Sequence, residues 1–297
     1  SMVTLRYHLK NNVTFRLFSF GFCPGDSGEE REREMPITYE GHFEHGVASG
    51  DPLSDSIVLW TRVTPKTSSG VVVESISCGK DALAFRVKYF VKNEEDEVVI
   101  SGVEEALCSN DWTLKVDVVG LNGGVKYSYG FETNSFSSRL GTFRLFSSEQ
   151  NTLKFAVFSC ANFGYGYFNA YGHAASLDLD FSLFLGDYIY EYDPSGYHIV
   201  RQSEDLLPRG TRLDNITDYR KRYESYHKDP DLQALRASAP LIAAWDDHEF
   251  ANDAYKVGAG NHDDSVDGPW EPRKQAAARV FEVYSLPLTR LIHLHSN

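Results

Sequence analysis

The sequence predicts an N-terminal antiparallel β-sandwich of immunoglobulin or fibronectin type followed by an α/β domain. Three observations carry that prediction. Short β segments recur at regular spacing from about His42 to Phe146, with turn residues between them. From Asn151 onward, apolar strands alternate with helical stretches. Three of those apolar strands run directly into side chains with ligand or acid–base chemistry: Cys160, Asp187 and the pair Asp246-Asp247. The divisions that follow are an irregular N-terminal segment and linker over 1–41, the sandwich over 42–148, and a partial α/β domain over 149–297.

In chain order, Ser1-Met2 reads as an appended or internal start, and Leu5 to Phe22 is too interrupted by polar residues for a signal-peptide core. Gly25 to Pro36, with Glu29-Glu30-Arg31-Glu32-Arg33-Glu34, has the composition of a connector. Ile57 to Val63 reads as a strand that Pro65 ends, and Phe85 to Val91 alternates apolar and basic residues as a half-buried strand does. Val98 to Ile100, Trp112 to Val119, Tyr127 to Thr133 and Leu140 to Leu145 continue the pattern. In the α/β part, Leu153 to Phe158, Phe181 to Leu185 and Pro240 to Trp245 read as strands buried on both faces. Helices are expected at Tyr167–Leu177, Thr217–His227, Asp231–Ala237 and Pro272–Ser285.

Composition narrows the function classes. A chain of 297 residues with 42% hydrophobic content suggests two domains and a substantial core. Its net charge of −13 argues against a nucleic-acid-binding surface, which needs Lys and Arg against phosphates. A phosphorylated small substrate stays compatible, because metal ions supply positive charge locally. No apolar run approaches the ~20 residues that span a bilayer. The four cysteines lack Cys-x-x-Cys spacing, which argues against a zinc knuckle; Cys78 and Cys108 are candidates for a disulfide that sequence alone does not pair. Two glycosylation sequons, at Asn12 and Asn215, are weak signs of secretion.

The convergence at the strand ends is the functional signal. Ligands of open α/β sheets bind beyond the carboxyl ends of the strands. Gly186 gives the backbone freedom to turn before Asp187, and Tyr190 lies three residues on, within reach of the same spot. An aspartate and a tyrosine together are oxygen donors suited to a hard cation such as ferric iron. Taken singly, Cys160 reads as a buried thiol, Asp187 as a cap, Tyr190 as packing and His248 as a structural histidine. Together at one sheet edge they are hard to explain as packing, since Asp187 and Asp247 repel unless a cation or proton lies between them.

Four stretches also resemble one family. Phe43-Glu44-His45-Gly46-Val47-Ala48-Ser49-Gly50-Asp51-Pro52 with Val58 to Val63, Ser159-Cys160, Gly186-Asp187-Tyr188-Ile189-Tyr190-Glu191, and Trp245-Asp246-Asp247-His248-Glu249 with Asn252-Asp253 resemble PhoD-type alkaline phosphatases/phosphodiesterases. These belong to the calcineurin-like metallophosphoesterases, related in their iron site to purple acid phosphatases. The resemblance spans most of residues 43 to 285. It implies metal-dependent hydrolysis of phosphate mono- or diesters, with Fe3+ and Ca2+ as cofactors and a small phosphate ester as the partner molecule. Cys160, Asp187 and Tyr190 would hold iron, with Asp187 bridging to a second metal near Asp247 and Asn252. His248 would bind the phosphate or act as general acid, and Asp246 would support the site from behind. An extracellular or otherwise extracytoplasmic location is implied in the same way.

Members of the family continue beyond this length and supply further ligands later, so the chain reads as truncated at its C-terminus. His293-Leu294-His295 has ligand chemistry but matches no family motif. Two alternatives accompany the enzyme reading. One is a weak or inactive remnant that binds metal or a partner, dimerising across an exposed sheet edge. The other is an adhesion module with a degenerate appendage. Oligomeric state and natural substrate stay open.

Overall fold

The computed structural model describes residues 39–72, 83–192, 201 and 213–286. The N-terminal part of this range is β structure: β1 (Tyr39–His42), β2 (Val47–Gly50), β3 (Ser56–Arg62), β4 (Thr64–Thr67), β5 (Ala84–Lys92), β6 (Val98–Leu107), β7 (Thr113–Val119), β8 (Lys126–Glu132) and β9 (Gly141–Arg144). Strands β10 (Phe155–Phe158), β11 (Phe181–Phe184) and β12 (Leu241–Ala243) follow among helices α1 (Asn169–Ala175), α2 (Ile216–His227), α3 (Pro230–Ser238), α4 (Asp264–Asp267) and α5 (Trp270–Tyr284).

Alternation decides which faces are buried. In β5, Phe85, Val87 and Val91 turn inward while Arg86 and Lys88 stay outside, as period-two geometry requires. The antiparallel sheet β6-β5-β8-β9 thereby presents an apolar face. That face packs on Val47, Ile57 and Leu59 of β2 and β3 and on Leu114, Val116 and Val118 of β7. The intervening residues, Ala48 and Trp60, point the other way into a second core shared with α2, α3 and α5.

Strands β2, β3 and β7 do not stop at the sequence boundary drawn after residue 148. They lie in one six-stranded sheet with the α/β strands, in the order β10-β11-β12-β2-β3-β7. β10, β11, β12 and β2 run parallel, and β2-β3-β7 is antiparallel. The junction is narrow, with Leu241 of β12 paired to Gly50 of β2. A Cβ on Gly50 would sit 2.6 Å from the Leu241 carbonyl oxygen, so only glycine lets the strands meet.

Two sequence expectations need correcting. β3 ends at Arg62 before Pro65 is reached, and Pro65 itself lies inside β4, which pairs with β1 in a two-stranded ribbon where a missing N–H is tolerated. β10 is also not buried on both faces. Phe155 and Val157 of β10 are 48% and 50% exposed, whereas β2 is buried throughout. Helices α2 and α5 begin at Ile216 and Trp270, within two residues of expectation, and α1 is shorter than expected. The Asn215 side chain caps α2 by accepting hydrogen bonds from the Thr217 and Asp218 amides.

The two cores are joined by a buried polar cluster. Arg62 of β3 donates to Asp111 at 3.2 Å and to Glu224 of α2 at 2.8 Å, and the Tyr284 hydroxyl of α5 donates to Asp111. Cys108 is buried and disulfide-bonded. Cys23 and Cys78, the Asn12 sequon and the His293-Leu294-His295 run lie outside the described residues. No helix among the described residues is long and apolar enough to cross a membrane.

Candidate metal centre

The register of the parallel strands sets the site. Phe158, Phe184 and Ala243 are in line across β10, β11 and β12. Two further bonds, Leu185 N–H to the Phe158 carbonyl and Ala244 N–H to the Phe184 carbonyl (both 2.9 Å), carry the alignment one residue on. Cys160, Asp187 and Asp247 then follow at two, three and four residues past those aligned positions. The turns are strained: Cys160 has φ 58° and Asp187 φ 52°, in the left-handed region that costs an ordinary residue about 1–3 kcal/mol. Gly186, at φ 106°, passes so close to the neighbouring loop that a Cβ would lie 2.4 Å from that of Asp246.

Asp187 is the junction of two groups. On one side its Oδ2 accepts a hydrogen bond from the Tyr190 hydroxyl at 3.0 Å, and Cys160 is the next neighbour of that hydroxyl. Burial, then the Asp187 charge and the contact with Cys160, push the Tyr190 phenol well above its usual range; a cation among these groups would reverse that effect. On the other side, Asp187, Asp247 and His248 each present a ligand atom, all within 4.8 Å of one another. Asp187 is 7% exposed, and its Oδ1 is buried without a hydrogen-bond partner. A buried carboxylate oxygen left bare beside a second carboxylate is a costly arrangement that a cation resolves. The donor set therefore fits a metal.

The loops are held by residues the sequence reading left without a role. Glu249 is fully buried, and its carboxylate accepts from the backbone amides of Asp187 (3.2 Å), Tyr188 and Asp246 (2.6 Å). It ties the loop after β11 to the loop after β12. Burial outweighs those hydrogen bonds and lifts its carboxyl to about 7. Glu191, 2% exposed, accepts from His248 Nδ1 at 2.8 Å, from the Asn252 amide at 2.6 Å and from Asn261 Nδ2 at 2.7 Å. With Nδ1 so engaged, Nε2 is the imidazole atom left for the site. Burial alone would depress His248, but the Glu191 contact and the charges of Asp187 and Asp247 raise it above its ordinary value. Glu191 stands between two tyrosines, whereas Glu249 closes the Asp246-Asp247-His248 run, so the sequence marks neither as a backbone acceptor.

Helix α2 adds a brace. The Tyr226 hydroxyl accepts from the amides of Phe163 (3.0 Å) and Tyr190 (3.2 Å), so one side chain holds the loops after β10 and β11. Arg222 donates to the carbonyls of Tyr190 and Tyr192. The rings of Tyr190 and Tyr192 flank His248, at centroid distances of 4.2 and 5.1 Å.

Of the predicted site residues, the structure brings together Cys160, Asp187, Tyr190, Asp247 and His248. Asn252 is adjacent, but its Oδ1 accepts from the Tyr192 hydroxyl at 2.6 Å and its Nδ2 donates to Asp253. The side chain thus bridges to the loop after β11 through Tyr192 and bonds its neighbour Asp253. Asp246 is exposed, and its backbone amide is what the site uses.

Comparison with known proteins gives a consistent picture. The model of the PhoD-like phosphatase family matches residues 155–294, and that of the PhoD-like phosphatase N-terminal domain matches residues 31–147. Alkaline phosphatase D of Bacillus subtilis (strain 168) is 36% identical over 215 residues, covering 71% of this chain and 36% of that protein. The chain thus spans about a third of that relative's length. The solved structure of PhoD superposes with a TM-score of 0.69 at 33% identity, covering 82% of this chain and 46% of that one. A purple acid phosphatase from yellow lupin (Lupinus luteus) seeds, at 12% identity and TM-score 0.45 over 82% of this chain and 40% of its own, is too distant to carry an argument.

Proposed function

The chain belongs to the PhoD-like phosphatase family, and we propose that its strand ends form part of a metal-dependent centre for hydrolysing phosphate mono- or diesters. The observation that carries this reading is Asp187, which accepts from Tyr190 through Oδ2, shares a ligand cluster with Asp247 and His248, and leaves its buried Oδ1 bare. Cys160, Tyr190 and Asp187 offer thiolate, phenolate and carboxylate donors that suit ferric iron. Asp187 and Asp247 offer oxygen donors that suit Ca2+, and Asn252 Oδ1, which accepts one hydrogen bond from Tyr192, keeps a second lone pair for an ion. When bound, such ions supply positive charge that polarises the phosphoryl group and activates water.

The chain's own residues do the rest. His248 is the proton carrier, with Nδ1 fixed by Glu191 and the two tyrosine rings limiting its swing, so that Nε2 serves the leaving alkoxide. Glu249 fixes the backbone of Asp187 relative to Asp246. The four-stranded sheet and its partner strands act as a sandwich-type scaffold without chemistry of their own. The disulfide at Cys108 supports an extracytoplasmic location, because such bonds persist in oxidising compartments.

The test is metal content and phosphate release measured together, with p-nitrophenyl phosphate and its bis-ester as substrates. Stoichiometric iron, a charge-transfer colour weakened in Tyr190→Phe, and turnover lost in His248→Ala would support the proposal. Unchanged turnover in Asp187→Ala would sink it.

A further inference from the structure

Helix α2 presents two tyrosines to different halves of the candidate metal centre. Tyr219 and Tyr226 stand about two turns apart, so they share a face of the helix. Tyr219 donates its hydroxyl hydrogen to the Phe250 carbonyl, in the loop after β12 that carries Asp247 and His248. Tyr226 does the opposite. Its oxygen accepts, from the Phe163 amide at 3.0 Å and from the Tyr190 amide at 3.2 Å. A hydroxyl oxygen offers two lone pairs, and both are spent on these bonds.

That oxygen is a clasp on the candidate iron donors. Phe163 closely follows Cys160 in the loop after β10, and Tyr190 is itself a donor. The Phe163 end is stiff: the Asn162 side chain closes its turn by accepting from the Gly164 amide at 2.9 Å. The Phe163 ring also packs on that of Tyr226, at a centroid distance of 5.3 Å. At the Tyr190 end, Arg222, one turn back on α2, holds the carbonyl of the same residue. Tyr226 is buried, so removing its oxygen leaves both amides short of an acceptor. Glu249, by contrast, joins the loops after β11 and β12. The two halves of the centre hang on different supports.

We propose that Tyr226 is a positioning residue that sets the spacing of Cys160 and Tyr190, and so governs the iron half of the centre while Asp247 and His248 rely on other ties. The clasp is visible without a metal; its link to iron rests on the phosphoesterase reading. A tyrosine that merely filled the core would disturb both halves alike.

The experiment compares the full parent chain with Tyr226→Phe and Tyr219→Phe, each of which loses one buried hydroxyl from the same helix. In the metal-free chain, amide exchange at Phe163 and Tyr190 should quicken about tenfold in Tyr226→Phe. The Trp60 indole proton, bonded to the Val283 carbonyl, should keep its parent rate and so report an intact core. After loading with Fe3+ and Ca2+, Tyr226→Phe should show a shifted charge-transfer band and bind iron about tenfold more weakly, with calcium stoichiometry unchanged. Tyr219→Phe should keep the parent band. An unchanged band and iron affinity in Tyr226→Phe would overturn the inference and leave the metal centre standing. Equal shifts in both variants would overturn it too, by showing general loosening of the helix. A parent chain that takes up no iron would sink the phosphoesterase reading instead, and the clasp would then stand or fall on the exchange rates of Phe163 and Tyr190.

Discussion

The two halves of the six-stranded sheet are built to different ends. In the antiparallel half, β2 and β3 are almost wholly buried, with successive side chains entering two separate cores. In the parallel half, β10 has no fully buried residue, β11 is buried only at Ser182 and Phe184, and the turns after them place Cys160 and Asp187 in left-handed conformations. The first half gathers apolar contacts. Left-handed residues also border the first half, at Asp51 and Trp112, so what sets the second apart is a ligand-type carboxylate oxygen without a partner. The comparison teaches that stability and chemistry are separated along one sheet, with the narrow β12–β2 junction between them.

The largest expected effect breaks the stable half. Trp60 is fully buried, donates from Nε1 to the Val283 carbonyl at 2.8 Å and lies under Arg236 at 4.3 Å. Trp60→Ala should cost about 3–5 kcal/mol in denaturant unfolding. By contrast, Asp187→Ala should leave unfolding of the metal-free chain within about 1 kcal/mol of the parent or raise it, because it removes a bare buried charge. A large loss there would erase the distinction between the halves.

Metal removal comes next. A ligand bound only to the folded state stabilises it by about 2.7 kcal/mol at a hundredfold excess over its Kd. Chelation should lower Tm accordingly, and the drop should vanish in Asp187→Ala. Gly186→Ala should cost about 1–3 kcal/mol and weaken metal uptake, because both its φ and the 2.4 Å approach to Asp246 demand glycine. Normal metal content in that variant would show that the loops move apart freely.

A pH scan sharpens the same contrast. His45 and His227 are buried, and burial followed by nearby positive charge, including Arg62 and Arg236, holds both well below 6.5. Their folded values lie under the unfolded one, so the unfolded chain takes up more protons below pH 6.5. Stability is therefore fully present above pH 6.5 and is lost as pH falls, by up to about 1.4 kcal/mol per pH unit for each histidine. His45→Gln should flatten that slope in metal-free protein. An unchanged slope would place the acid sensitivity elsewhere.

What the sequence made legible follows from how local each feature is. The ends of β10, β11 and β12 were readable because short apolar runs meet Cys160, Asp187 and Asp246-Asp247 abruptly. The helices α2 and α3 were placed to within a residue at their starts, and the structure adds the caps that fix them, the side chains of Asn215 and Asp229. The sharing of one sheet between β2 and β12 was not legible, because Gly50 and Leu241 pair across about two thirds of the chain's length and neither carries a local mark. Glu249 and Glu191 stood in the motifs, but their work is to accept backbone N–H groups from other loops, which only the folded chain brings near. The contact of Asn252 with Tyr192 is hidden for a similar reason, since the two lie sixty residues apart.

The most direct measurement is metal stoichiometry with the visible spectrum, compared among the parent chain, Asp187→Ala and Asp247→Ala. If Asp187 joins two metal positions, Asp187→Ala should lose both metals and the colour. Asp247→Ala should keep the iron and its charge-transfer band while losing the second ion. Retention of both metals in Asp187→Ala, or loss of iron in Asp247→Ala alone, would contradict the shared-carboxylate account.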